Sequence, residues 1–299
     1  MKRIRKLSSV VSCFVCVIAL AMSAMAAPAA QAQAQPVAPT GESIPLLASP
    51  DFGWQSNVAD WQEPPAGYGH GPIRPDPAHP YVSNAEAGRT SRQPTLRIGD
   101  AGDPILKPWA AQQMLASNEE LISGIRQSPF SAQARCFPGG VPGQLLFPFA
   151  PLYFMQTPEE VWMIWQRDHM WRRVRLAEKH SANVKPSWFG ESIGHYENGD
   201  TLVIDTIGLS TKNSYIDNFR TPHSEKLHVV ERYTLSEDGN SLTAIVTVED
   251  SDTFNAPLTM QQRWFKQELS MKEVICAENN RDFENQIVFQ MPEDHTPDF

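Results

Sequence analysis

Cysteine is scarce in this sequence: four residues in 299, two of them, Cys13 and Cys16, inside an N-terminal apolar run. Cys136 and Cys276 remain. They form no CxxC pair, so they point to one disulfide rather than a metal or redox centre. Closing so long a loop is worth roughly 4–5 kcal/mol on the chain-entropy model. Basic charge is scarce too, with 25 Lys and Arg against 34 Asp and Glu and a formal net charge of −9. That balance excludes general binding to nucleic acid or to an anionic membrane surface. After the N-terminal run no stretch is long and apolar enough to span a bilayer as a helix. His169, His180, His195, His223 and His228 show no H-x-H or HExxH spacing, and no glycine-rich phosphate loop or dinucleotide fingerprint occurs. Neither a metal nor another cofactor is expected.

What is present begins with Lys2, Arg3, Arg5 and Lys6, an apolar run through Ala21 and Ala24-Met-Ala26, the layout of a cleavable secretory signal over residues 1–26. Val10-Val-Ser-Cys13 has the outline of a lipoprotein box, but too little apolar sequence precedes it. Cleavage after Ala26 removes four basic residues and no acidic ones, leaving a formal charge of −13. The expectation is an exported, periplasmic protein.

Residues 27–102 are rich in Ala, Gln, Pro and Gly with scattered aromatics such as Trp54, Trp61, Tyr68 and Tyr81, and read as an extended, low-complexity segment. The globular domain is placed at 103–290, followed by a tail at 291–299. Met114, Leu115, Leu121, Ile122 and Ile125 line one side of a single short helix within Ala110–Ile125. From Thr157 the pattern is strand and turn: Glu160–Arg167, Trp171–Leu176, Ser192–Glu197, Asp200–Ile207, Glu225–Leu235, Ser241–Glu249, Leu258–Lys266, Lys272–Cys276 and Gln286–Gln290. Short strands joined by tight turns predict a mainly β, antiparallel, lipocalin-like (calycin-type) barrel, closed because closure removes exposed edges. Such a barrel can hold one small ligand.

Asn198-Gly199 is the strongest turn signal, since a type I′ hairpin needs two left-handed residues. With a two-residue loop, Tyr196 faces Thr201 and Ser192 faces Asp205. Ser192, Gly194 and Tyr196 then share the inner face with Val203, Asp205 and Ile207. Asp205 is an acidic residue on an apolar face, and a buried carboxylate requires a partner. The same test flags Glu231 among Leu227, Val229, Tyr233 and Leu235, and Gln166 with Asp168 after Trp162 and Ile164. Arg172, Arg173, Arg232 and Arg263 are available counter-charges. Asp205, Glu231 and His223 would make an acid/base set, with Ser192, Asp168, Arg173, Arg232, Trp165 and Tyr196 lining a substrate site. The competing reading of each is a structural ion pair or a solvated face. Gly190-Glu-Ser192-Ile-Gly194 matches GxSxG, and Ser192, Asp205 and His223 follow in hydrolase order. A nucleophile elbow, however, needs a helix after the serine, and here a β-hairpin follows.

Trp188-x-Gly190-x-Ser192-x-Gly194, Gly199-Asp-Thr-Leu-Val-x-Asp-Thr206 and Pro222-His-Ser-Glu-x-Leu-x-Val-Val-Glu-Arg-Tyr233 together resemble a family of exported bacterial proteins. The likeness takes in Cys136-x-Pro-Gly-Gly-Val-Pro142, Gln156-Thr-Pro158 and Cys276-x-Glu-Asn-Asn280, and departs mildly at Tyr196, where a tryptophan-like residue is usual. It covers about Asp103 to Asp282 and implies domain limits but no reaction. Asp205, His223, Glu231 and Arg232 fall inside its motifs. The leading functional expectation is a barrel that binds a small, largely apolar or aromatic molecule. The alternatives are a cofactor-independent lyase, isomerase or hydrolase, and an envelope interaction module.

Overall fold

The computed structural model describes residues 44–124, 136–146, 151–212, 214–268 and 270–276. The signal segment, Ile125 at the expected helix end, the Gln286–Gln290 strand and the 291–299 tail lie outside them.

Nine strands close into one barrel in chain order. They are β1 (Gly53–Gln55), β2 (Leu152–Gln156), β3 (Glu160–Trp165), β4 (Trp171–Leu176), β5 (Glu191–Glu197), β6 (Thr201–Ile207), β7 (His228–Leu235), β8 (Ser241–Glu249) and β9 (Leu258–Gln267). Among the described residues two α-helices precede β2, α1 (Asn84–Thr90) and α2 (Pro108–Ile122), with a short 3-10 turn at Gly143–Leu146. Pro108 opens α2, where a missing amide proton costs nothing, and Ala110, Met114, Asn118 and Leu121 form its buried side. The predicted Lys272–Cys276 strand is instead a single bridge between Val274 and Arg167. Cys276 and Cys136 are joined as a disulfide, with Cα atoms 5.5 Å apart.

The first correction to a purely antiparallel barrel is the β4–β5 pair, which is parallel and matches only Val174 with Ser192, Arg175 with Ile193 and Leu176 with Gly194. Parallel neighbours need a crossover. Residues 177–190 supply it, running back along the outside of β5 and β6 to the end of the barrel where β4 starts.

The Pro- and Gly-rich N-terminal segment is part of this barrel. β1 pairs with β9 along three residues and meets β2 at Trp54 and Leu152, closing the cylinder. Trp54 is 1% exposed and its indole donates to the Leu47 carbonyl at 2.9 Å. Gln62 and His70 then bridge to β9, and Trp61 donates to the Ile216 carbonyl at 2.8 Å.

The β5–β6 hairpin carries the second correction. Asn198 and Gly199 are both left-handed, with φ of 54° and 76°, so the type I′ turn forms. Yet the Asp200 carbonyl is taken by the Leu235 amide of β7 at 2.9 Å, and Thr201, not Asp200, is the first residue to pair. The register moves by one, which turns β6 over relative to the expectation. Leu202, Ile204 and Thr206 point inward with Ser192, Gly194 and Tyr196. Val203, Asp205 and Ile207 point outward. Gly194 leaves no room for a side chain: a methyl group there would stand 2.8 Å from the Val203 carbonyl oxygen and 2.9 Å from Val174 Cγ1.

Candidate functional site

Inside the barrel one charged pair sits among apolar side chains. Arg172 of β4 and Glu231 of β7 have side chains 1% and 0% exposed. Alternation places both inward with Val174, Val229 and Tyr233. The guanidinium donates through Nη1 to Glu231 Oε1 at 3.0 Å, and through Nη2 to Glu231 Oε2 and to Thr206 Oγ1. Its Nε donates to Ser192 Oγ at 2.9 Å, and Tyr233 donates its phenolic proton to Glu231 Oε1 at 2.9 Å. Burial disfavours the Arg172 cation, but the adjacent Glu231 carboxylate outweighs it and raises the group. The Tyr233 phenol is pushed well up by burial and by the same carboxylate. Around the pair, Trp54, Trp165, Leu152, Met163, Leu202 and Ile204 are fully buried and fill the interior.

Where β4 and β5 part, the wall opens. Their ladder begins at Val174 and Ser192, so Trp171, Arg172 and Arg173 have no β5 partner in the sheet. The gap is a cavity of about 530 Å³ lined by residues 168–173 of the β3–β4 turn and β4 and by Ser187, Phe189 and Gly190 of the crossover. Its apolar surfaces are Met170, Trp171 and Phe189, and the Phe189 ring stacks on Trp165 with centroids 5.8 Å apart and planes 14° apart. Arg172 ties the cavity to the interior pair. Asp168 and His169 are successive left-handed residues, φ 54° and 46°, a conformation that side chains other than glycine adopt at a cost. Asp168 Oδ1 accepts the Cys276 amide at 2.8 Å and its own amide donates to the Val274 carbonyl at 2.7 Å, which fastens the turn to the disulfide.

On the outer wall a chain of ionisable groups crosses five strands, β4 to β8, and the crossover. Asp205 Oδ1 lies 2.9 Å from His180 Nε2 and 3.1 Å from His228 Nε2. Nδ1 of His180 faces Glu191 at 3.1 Å, and Nδ1 of His228 faces Glu249 at 3.2 Å. Arg175 Nη2 stands 3.2 Å from Glu191. Burial pushes the Glu191 carboxyl up, but the Ser181 hydroxyl and amide, His180 and Arg175 together bring it down to about 2. The hydrogen bond from His228, opposed by partial burial and aided by His180, lowers Asp205. The same contact, against the effect of burial, raises His228.

The residues named from sequence are therefore dispersed. Asp205 is on the outer wall and Glu231 is sealed inside, so the proposed acid/base set is not assembled. The third member, His223, is 5% exposed in the loop before β7; Nδ1 contacts the Ser224 carbonyl at 2.9 Å, and burial lowers its affinity for a proton. Ser192 is 3% exposed in mid-strand beside Arg172 and Thr206, which is no setting for a nucleophile elbow. The glycines of GxSxG are packing residues instead: Gly190 has φ 60°, and a methyl group there would meet the Ile207 carbonyl oxygen at 2.3 Å. Arg173 and Arg232 are outward and bound to Glu160 and Glu197. Tyr196 points inward and its hydroxyl accepts from Gln156 Nε2 at 3.0 Å. Trp165 is a core residue that supports Phe189. Sequence reasoning missed Phe189, His169 and His180. Only His180, in a strand-poor stretch just before β5, offered a signal: its spacing to Glu191 across a segment too long for a hairpin turn.

Comparison of the chain with family models and with curated proteins gave no match.

Proposed function

We propose that this chain is an exported barrel protein that binds a small, largely aromatic molecule in the cleft between β4 and β5. The carrying observation is the cavity of about 530 Å³, in the size range of small-molecule pockets, with Trp171, Phe189 and Met170 as apolar walls and Asp168, His169, Arg173 and Ser187 as polar groups. The interior, where a barrel ligand would first be sought, is occupied by tryptophans, methionine, leucines and the Arg172–Glu231 pair, which moves the reading to the mouth. Export rests on the signal-like first 26 residues and accords with the Cys136–Cys276 disulfide, since such bonds persist in oxidising compartments. Membership of the exported family that the motifs resemble belongs to the same proposal.

The test begins with native mass spectrometry of the mature protein from its own envelope and continues with fluorescence titration of 2-naphthoate. Saturable binding is expected, weakened about tenfold by Trp171→Ala, whose side chain is 57% exposed and replaceable without disturbing the fold. Absence of a co-purifying molecule together with no saturable binding overturns the reading. So does binding that Trp171→Ala and Phe189→Ala both leave untouched.

A further inference from the structure

β4 has an unused edge beside the cleft. Its bonds to β3 can be read from the two ends of that pair, where the Trp165 amide donates to the Met170 carbonyl at 2.8 Å and the Leu176 amide to the Glu159 carbonyl at 2.8 Å. In an antiparallel pair such bonds recur at every second residue, so Arg172 and Val174 direct their backbone groups to β3, while Trp171, Arg173 and Arg175 turn theirs to the opposite side. That side is β5. The β4–β5 ladder, however, starts only at Val174 and Ser192, and so reaches no further than the Arg173 carbonyl. The amide and carbonyl of Trp171 and the amide of Arg173 remain, turned toward the cleft that both residues line, and no bond to them occurs among the described residues. Two donors and one acceptor thus stand beside aromatic walls.

We propose that the ligand of this cleft is peptide-like: an aromatic residue in extended form, whose own N–H and C=O complete the β4 edge as a further strand would. This names a chemical class within the ligand-cleft reading and rests on it. A strand residue presents its N–H and C=O on one side, so one ligand residue can donate to the Trp171 carbonyl. Its carbonyl then accepts from the Arg173 amide if the ligand runs with β4, and from the Trp171 amide if it runs against it. Cross-strand neighbours share a face. The ligand's ring therefore lies beside Arg172 in the first direction, on the inward face where Phe189 stacks on Trp165, and beside Trp171 in the second. Both directions meet an aromatic surface. The opposite wall is fixed in place: the Val141 amide donates to the Trp188 carbonyl at 3.3 Å, Phe137 stacks on Trp188 with centroids 5.7 Å apart, and the Ser187 amide donates to the Gly208 carbonyl at 3.1 Å. The gap is thus formed before a ligand arrives, which lowers the ordering cost of filling it.

The experiment is titration calorimetry of the full mature chain with three probes: N-acetyl-phenylalanine N-methylamide, its analogue in which oxygen replaces the phenylalanine N–H, and 2-naphthoate. The amide is expected to bind saturably and the oxygen analogue about tenfold more weakly, since the Trp171 carbonyl then faces a lone pair in place of a donor. At saturation with the amide, hydrogen exchange of the Trp171 or the Arg173 backbone N–H should slow about tenfold, which also gives the direction, while that of Arg172, already bonded to β3, stays unchanged. No binding of the amide, equal affinity of the two analogues, or no slowing at either backbone N–H overturns the peptide-like assignment. If 2-naphthoate still binds and Trp171→Ala weakens it, the cleft reading survives that failure. No saturable binding by any of the three removes both.

Discussion

Two ionic networks share the β6–β7 neighbourhood on opposite faces of one wall, and they are built from different chemistry. The inner one joins an arginine to a glutamate, is closed to solvent and uses Ser192, Thr206 and Tyr233 to complete its hydrogen bonds. The outer one is built around histidines, has Asp205 38% exposed, and leaves each ring between two acceptors. Burial makes the first network intolerant of a missing partner, because the remaining charge has no water to turn to. Exposure and histidine make the second weak and adjustable. The fold thus separates a fixed charge pair from a titratable one across the thickness of a single sheet.

The largest effect should come from halving the inner pair. Glu231→Ala leaves Arg172 buried and uncompensated, and a loss of about 3–5 kcal/mol is expected from urea unfolding. Replacing both partners, Arg172→Met with Glu231→Leu, should recover much of it. If the single substitution is mild, the interior admits water and the contrast with the outer network fails.

Gly190 joins the two regions, ending the crossover and preceding β5. Gly190→Ala imposes a side chain at φ 60° and a clash with the Ile207 carbonyl, and about 1–3 kcal/mol of destabilisation is expected. Thermal unfolding measures it. A neutral result would mean that the crossover can shift without loss.

A smaller and pH-dependent effect is expected at Asp205→Asn, about 0.5–1 kcal/mol for a partly exposed set of pairs. The sign follows from two directions. Asp205 is lowered, so its contribution is present above about pH 4 and lost as pH falls through the folded value. His228 is raised, so its contribution is present below about pH 6.5 and lost as pH rises through its folded value. The stability difference between wild type and variant should be greatest between about pH 4 and 6.5 and shrink on both sides. A difference constant from pH 4 to 9 would show that histidine charge is not involved.

These networks explain what could be read in the sequence and what could not. Glu231 stood out because Val229 and Tyr233 flank it on one face, while His228, Val230 and Arg232 occupy the other. Asp205 was assigned to the wrong face because β6 is apolar on both: Leu202 and Ile204 pack inward, while Val203 and Ile207 lie on the side along which the crossover runs. Alternation carries no parity signal in a strand covered on two sides. The turn residues were legible, but the Asp200 carbonyl's use by Leu235 of β7 is a tertiary event, and it decided the register. Arg172 could not be told from Arg173, since Trp171-Arg-Arg173 has no apolar alternation. β1 was hidden by length: three residues in a Pro- and Gly-rich run, held by neighbours rather than by propensity. The disulfide was legible because only two cysteines remained to pair.

The smallest effect is expected at Arg173, whose pair with Glu160 looks on paper as close as the inner one. Arg173 Nε donates to Glu160 Oε2, and the guanidinium lies 6.0 Å from the Trp162 ring centroid. Its side chain is 53% exposed, however, so both groups keep water when the contact breaks. Arg173→Ala should therefore leave the urea midpoint within error of wild type, in contrast to Glu231→Ala. Because Arg173 also lines the cleft, 2-naphthoate affinity should fall in the same variant. A variant that loses stability but binds unchanged would reverse both assignments, making the exposed pair structural and placing the ligand elsewhere.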